Sequence, residues 1–167
     1  MSRVFFISDL HIYHKKLCER YRDGDVDDDY KKIVSEWNSV VTKRDKVYVL
    51  GDITMEKDEY IEQFIKDTNG HKVIIGGNHD TEPCCKKLHE LGVIVMGCLK
   101  YKGFIVTHIP IHPSECELFR GNIHGHVHNK SIDYGDRYFN VALDVIGYKP
   151  ILFDDIVKSI QKRRGAI

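Results

Sequence analysis

Three short runs of β-branched and aromatic residues punctuate the first half of the chain: 3–8 (RVFFIS), 46–50 (KVYVL) and 72–76 (KVIIG). Each ends at or beside a Ser, Gly or Asp, and apolar runs of this length bounded by turn residues are the pattern of buried strands. Between them the apolar positions change period. In 28–41, Tyr30, Ile33, Val34, Trp37 and Val41 recur at three- and four-residue steps, and in 56–69 Tyr60, Ile61, Phe64 and Ile65 do the same before the stop signal Asn69-Gly70. The spacing predicts a βαβαβ opening. Further strands are expected over 93–97, 98–101 and 103–107, with Lys102-Gly103 as a tight turn, and over 121–125 and 137–142. A last helix, 153–164, opens on Asp154 and Asp155 and stops at Gly165. The mixed second half predicts an α/β sandwich rather than a purely parallel sheet. No repeat or linker interrupts residues 1–167, so a single domain is expected.

Composition narrows the class without naming it. A chain of 167 residues supports one core and buries about two thirds of the surface it exposes when unfolded. No stretch approaches the roughly 18 apolar residues of a membrane span, and "RVFFI" is too short for a signal-peptide core. A cytoplasmic protein with no membrane partner is expected. Lys plus Arg and Asp plus Glu both number 25, which gives no overall field for a long polyanion, so long nucleic acid is disfavoured as a partner. Lys162, Arg163 and Arg164 read as a favourable cluster at a helix C-terminus. The five cysteines, Cys18, Cys84, Cys85, Cys98 and Cys116, are odd in number and lack CxxC spacing, so they read as reduced thiols. The adjacent Cys84 and Cys85 read as helix packing.

The candidate chemistry lies just beyond the strand ends. "SDLH" after the first run supplies Asp9 and His11; "GD" after the second supplies Asp52; "GGNHD" after the third supplies Asn78, His79 and Asp80; "FIVTH" ends at His108. The carboxyl ends of neighbouring strands in α/β folds converge on one crevice. "HGHVH", 124–128, adds three imidazoles, which on an extended strand would all point one way. Singly, each block has a plain structural explanation as a helix cap, an αL turn or a polar loop. Jointly they place oxygen and imidazole ligands, without thiolate, around one site, a set that suits Mn, Fe, Zn or a similar divalent ion.

These blocks resemble the ordered signature of the calcineurin-like metallophosphoesterases: D-x-H, G-D, G-N-H-[DE], an isolated H, then G-H-x-H. Here they read Asp9-Leu10-His11, Gly51-Asp52, Gly77-Asn78-His79-Asp80, His108 and Gly125-His126-Val127-His128. The chain is most similar to the small single-domain members of bacteria and their phages, which "DLHIYH", "THIPIHP", "IHGHVHN" and "NVALDVIGYKPI" also resemble. The resemblance implies a four-layer α/β/β/α sandwich with mixed sheets, and two divalent metal ions, with Mn favoured and Fe, Ni, Zn or Mg as alternatives. Asp9, His11, Asp52 and His128 would hold one ion, and Asp52, Asn78, His108 and His126 the other, with Asp52 bridging. It also implies His79 as general acid, with Asp80 orienting its ring.

The resemblance leaves the substrate open. No Arg follows Gly51-Asp52 within the next four residues, which argues against a protein phosphatase, and Gly76 stands where many members have an Arg before G-N-H. A small, accessible, nucleotide-like phosphodiester is the favoured substrate, since a poor leaving group needs a proton donor such as His79. The alternatives are a phosphomonoesterase, a non-catalytic metal-binding scaffold and a single-strand nuclease using Lys100, Tyr101, Lys102, Lys130 and Tyr134. His14, His112 and Asn78 are candidate substrate contacts, and His124 is a candidate for orienting a ligand. Asp23, Asp25, Asp27, Asp28 and Asp29 fail the calcium-loop pattern, with Asp28 where Gly is needed and Val34 where Glu is needed, and read as a solvated helix N-terminus.

Overall fold

The computed structural model describes residues 2–22 and 24–165. The apolar runs become β1 (Val4–Ile7), β2 (Lys46–Val49) and β3 (His71–Ile75), which pair in parallel, joined by β4 (Ile94–Met96) on one side and, antiparallel, by β9 (Ile151–Leu152) on the other. The order is β4-β3-β2-β1-β9. A second mixed sheet, β5-β6-β7-β8, is built from β5 (Leu99–Tyr101), β6 (Phe104–Val106), β7 (Asn122–His124) and β8 (Tyr138–Asn140), with only the β5–β6 pair antiparallel.

Strand alternation sorts the first sheet's side chains onto two cores. Phe5, Ile7, Val47, Val49 and Ile74 face α2 (Val26–Val40), α3 (Asp58–Asp67) and α4 (Glu82–Glu90), where Trp37, Ile33, Ile61, Phe64 and Leu88 are fully buried. Phe6, Tyr48, Leu50, Val73 and Ile75 face the second sheet and meet Phe104, Val106 and Ile123, with Phe153, Ile156 and Ile160 of α7 (Phe153–Gly165) filling the same core. Helices, sheet, sheet and a thin outer cover form the α/β/β/α sandwich with mixed sheets. The cover over the second sheet is short: α5 (Pro113–Cys116) buries Cys116, and the Tyr138 hydroxyl donates to the Ile111 carbonyl at 3.0 Å.

The periodic segments sit within two residues of expectation, and Asp25 caps α2 by accepting from the amides of Asp27 and Asp28. Not all of the acidic run is solvated, however. Asp29 is fully buried, held by Arg22 Nη1 at 3.0 Å and the Tyr148 hydroxyl at 2.8 Å. Asp23 lies outside the described residues. The remaining elements are α1 (Lys15–Tyr21) and α6 (Leu143–Ile146); these, with α5 and β9, are too short to carry a period.

Candidate metal centre

The site forms where the two sheets are stitched together at the carboxyl ends of β1, β2, β3, β6 and β7. Beyond β1 the chain keeps pairing on both sides: Ser8 N donates to Val141 O at 2.9 Å, Asp9 N to Gly51 O at 3.1 Å and His11 N to Asp52 O at 2.9 Å. Eight described non-glycine residues have positive φ, and five of them are Asp9, His11, Asp52, His126 and His128. A left-handed backbone at such residues costs on the order of 1–3 kcal/mol each and persists only where its surroundings enforce it. Four of these, Asp9, His11, Asp52 and His128, belong to the groups of donor atoms that converge. Glycine permits the close approach: a Cβ at Gly77 would strike the Asp52 carboxylate, and one at Gly125 would strike Ser8 Oγ and Asp9 Oδ2.

Two sets of donor atoms converge, Asp9 with His11 and His128, and Asp9 with Asp52 and His108, each within 4.8 Å. Asp52 Oδ2 lies between them, 3.6 Å from His11 Nε2 and 3.5 Å from His108 Nε2. Asp9 Oδ1 is 3.7 Å from His128 Nε2. These separations are too long for hydrogen bonds. Two ligands of one ion with bonds of about 2.0–2.2 Å sit roughly 3–3.6 Å apart, close to what is observed.

The donor set fits a divalent cation on two further counts. Asp9 Oδ1 is buried without a hydrogen-bond partner, whereas its Oδ2 accepts from Ser8 Oγ at 2.5 Å and from His126 N at 2.9 Å. An unpartnered buried carboxylate oxygen is costly unless a cation faces it. His108 Nδ1 lies 2.7 Å from the Leu50 carbonyl, which must accept, so in the neutral ring the Nε2 lone pair faces Asn78 Oδ1 at 2.9 Å and Asp52 Oδ2 at 3.5 Å. Burial also pushes His11 down to about 3, with further lowering from His128, Arg22, His79 and His14, and it raises Asp52 above the usual carboxylate range. Burial lowers His126 as well.

The other expected site residues have different surroundings. His126 lies outside both converging sets; its ring packs edge-on to His108 at 5.1 Å. No hydrogen bond joins Asp80 to His79 among the described residues. The Asp80 oxygens accept backbone amides, Oδ2 from Gly77 at 2.8 Å and Asp52 at 3.0 Å, and Oδ1 from Ile53 at 3.2 Å, so it clamps the loop that carries Asp52. The His79 ring stands 5.8 Å from that of His11, and its amide donates to Asp52 Oδ1 at 3.0 Å. The three imidazoles of 124–128 do not share one strand face, because β7 ends at His124 and the positive φ values of His126 and His128 break the alternation. His124 is buried with Nδ1 3.0 Å from the Gly125 carbonyl and touches no candidate ligand by hydrogen bond.

His14 stands at the rim, its ring 6.0 Å from His11. His112 caps α5, its Nδ1 accepting from Ser114 N at 3.3 Å. Tyr101, half-buried, packs against Phe6, Tyr48 and Phe153. Two residues escaped the sequence reading. Asp144 accepts from His128 Nδ1 at 3.0 Å, and Arg22, its side chain 1% exposed, holds Asp144 Oδ1 at 3.1 Å. Asp144 did leave a signal, as the lone charge in the apolar stretch "NVALDVIG".

The fold and site together define a mixed α/β protein of two sheets with Asp and His groups that can hold metal ions. No profile of a known protein family matches the chain. The chain belongs to the family of the uncharacterized protein MJ1445 of Methanocaldococcus jannaschii, to which it is 32% identical over 97% of its own length and 93% of that protein's. It is also 40% identical, over 54% of its length and 46% of theirs, to the gene 66 protein of Mycobacterium phage L5. Among solved structures, the protein of unknown function AQ665 from Aquifex aeolicus superposes with a TM-score of 0.77 at 25% identity, covering 95% of this chain and 99% of that one. No helix among the described residues is long and apolar enough to cross a membrane.

Proposed function

We propose that the protein is a dinuclear metal-dependent phosphoesterase of the calcineurin-like superfamily, and that it hydrolyses a small, accessible phosphodiester. One observation carries the reading: Asp9, His11, Asp52, Asn78, His108 and His128 converge around a buried carboxylate oxygen that has no hydrogen-bond partner. Asp9, His11, Asp52 and His128 would hold one ion and Asp52, Asn78 and His108 the other, with His126 packed against His108. Two bound divalent ions would supply charge for the phosphate and lower the pKa of a water toward 7.

The protein's own residues do the rest. Asp80 ties the Asp52 loop, through the amides of Asp52 and Ile53, to its own loop, where it accepts from Gly77 N, so the Asp52 carboxylate is set in place before substrate arrives. Neither ring nitrogen of His79 has a hydrogen-bond partner among the described residues, and the ring is half-buried at the rim beside His11. Its ring nitrogens are therefore free to meet the departing oxygen, the contribution expected of a general acid there being about 10²–10⁴-fold. Poor leaving groups gain most from such a donor, which favours a diester with an alkoxide leaving group.

The test is hydrolysis of bis-p-nitrophenyl phosphate and p-nitrophenyl phosphate by metal-stripped protein, with Mn, Fe, Ni, Zn or Mg restored in turn. Metal-dependent diester cleavage, faster than monoester cleavage and absent in Asp52→Asn, supports the proposal. Two bound ions without cleavage of either ester would replace it with a scaffold.

A further inference from the structure

The two sets of donors are supported differently. Behind His108 stands a backbone carbonyl, Leu50 O, at 2.7 Å. Behind the set of Asp9, His11 and His128 stands a buried ionic layer. Asp144 Oδ2 accepts from His128 Nδ1 at 3.0 Å, and Asp144 Oδ1 accepts from Arg22 Nε at 3.1 Å. The same guanidinium donates to the Leu10 carbonyl at 2.8 Å, to the Asp9 carbonyl at 3.3 Å and to Asp29 Oδ2 at 3.0 Å. Arg22 thus grips, on one side, the loop carrying Asp9 and His11 and, on the other, the carboxylate that holds His128. Its side chain is 1% exposed, and a guanidinium desolvated to that degree needs the carboxylates on both sides. Four donors in a planar fork suit this geometry, which the single ammonium of lysine does not reproduce.

From this arrangement we infer that Asp144, held by Arg22, is a positioning residue for one metal position only, the one to which His128 belongs, and that it makes that position the tighter of the two. The inference rests on the proposed metal centre. Asp144 accepts the Nδ1 proton and so fixes the His128 tautomer whose Nε2 lone pair faces Asp9 Oδ1. A carboxylate behind a ligating imidazole also makes it a stronger donor, and losing such a group typically costs 10–100-fold in metal affinity. Arg22 keeps the carboxylate aimed and ties it to the Asp9 and Leu10 backbone, so that His128 and the loop carrying Asp9 and His11 share one anchor.

The experiment is calorimetric titration of Mn²⁺ into the metal-free full chain, comparing wild type with Asp144→Ala, Asp144→Asn and, as a surface control, Asp155→Ala. Melting temperatures of the metal-free proteins are recorded alongside. Wild type is expected to bind two ions with unequal affinity. Asp144→Ala weakens the tighter one about 10–100-fold and leaves the other within about threefold, and the control matches wild type. Asp144→Asn keeps an acceptor for Nδ1–H but loses the charge, so it falls between; being isosteric, it carries the test if the alanine variant does not fold. Unchanged affinities in both variants, or equal weakening of both ions in step with a lower melting temperature, would overturn the inference while leaving the metal centre standing. A wild type that binds no Mn²⁺ would remove the metal-centre reading and the inference with it.

Discussion

The first sheet and the second meet at the site with different chemistry. The loops after β1, β2 and β3 bring the carboxylates Asp9, Asp52 and Asp80 together with His11 and His79, and they hold them by amide hydrogen bonds between neighbouring loops. The ends of β6 and β7 bring only imidazoles, His108, His126 and His128, whose orientation comes from outside groups, the Leu50 carbonyl and Asp144. Anionic ligands and their rigid frame come from one layer, and neutral ligands that can be tuned from behind come from the other. The charge that holds an ion should therefore reside mostly in the first sheet.

Asp52→Asn is the largest expected effect on that contrast. The oxygen that faces both His11 and His108 loses its charge, while the amide bond from His79 N to Oδ1 survives in one amide orientation. Diester turnover should fall to background and the variant should bind at most one Mn²⁺ by titration. Its counterpart on the second sheet, His126→Ala, lies outside both converging sets and should cost only about 10–100-fold, the range for a group that supports a metal site. Equal losses in the two variants would erase the distinction between the sheets.

His79→Gln comes next. The residue stands on the first sheet's side but bonds to the framework only through its amide, so metal binding should be kept while turnover drops about 10²–10⁴-fold. The loss should be smaller for bis-p-nitrophenyl phosphate, whose leaving group needs little protonation, than for an alkyl diester. A Mn²⁺ affinity that falls with activity would make His79 a ligand and not a proton donor.

Much of this division was readable along the chain, and the physical reasons for the remainder are specific. The first sheet announced itself because β1, β2 and β3 are buried on both faces, which demands continuous apolar runs. The ligand blocks followed from the rule that strand ends converge, and Asp9, His11, Asp52, His108 and His128 do converge. Asp80 could not be assigned from sequence, because a carboxylate that clamps three amides and one that orients an imidazole look alike in a string of letters. Arg22 and Asp29 sit in a run of charges, "ERYRDGDVDDD", that reads as solvated; only tertiary packing of α1 and α2 behind the site buries the pair. The strand alternation drawn for 124–128 failed because left-handed turns at His126 and His128 depend on the Gly125 contact with Ser8 and Asp9, which is 116 or more residues away along the chain.

That contact can be tested directly. Gly125→Ala puts a methyl group against Ser8 Oγ and Asp9 Oδ2 at the seam between the sheets, and overpacking of this kind costs about 1–3 kcal/mol. Denaturant titration should show that loss, accompanied by weaker Mn²⁺ binding because Asp9 is displaced. Gly97→Ala, where a Cβ meets nothing within 4 Å, should stay within about 0.5 kcal/mol of wild type. If both substitutions cost the same, the seam is not under the constraint described.

The smallest effect is a tilt of stability with pH in the metal-free protein, and it separates one histidine of each sheet. His11 is pushed down to about 3, first by burial, so between about 6.5 and 3 the unfolded chain binds a proton that the folded one does not. Its contribution is complete above pH 6.5 and is lost as the pH falls through that window. His128 is raised, first by its hydrogen bond to Asp144, so its contribution is complete below about 6.5 and is lost as the pH rises through the folded value. Urea titrations across pH should show His11→Gln with a shallower acid limb than wild type, by up to about 1.4 kcal/mol per pH unit for one proton. His128→Gln should flatten the neutral side instead. An acid limb unchanged in His11→Gln would mean that the ring is not held neutral by burial, and the first sheet would then owe less to desolvation than its geometry indicates.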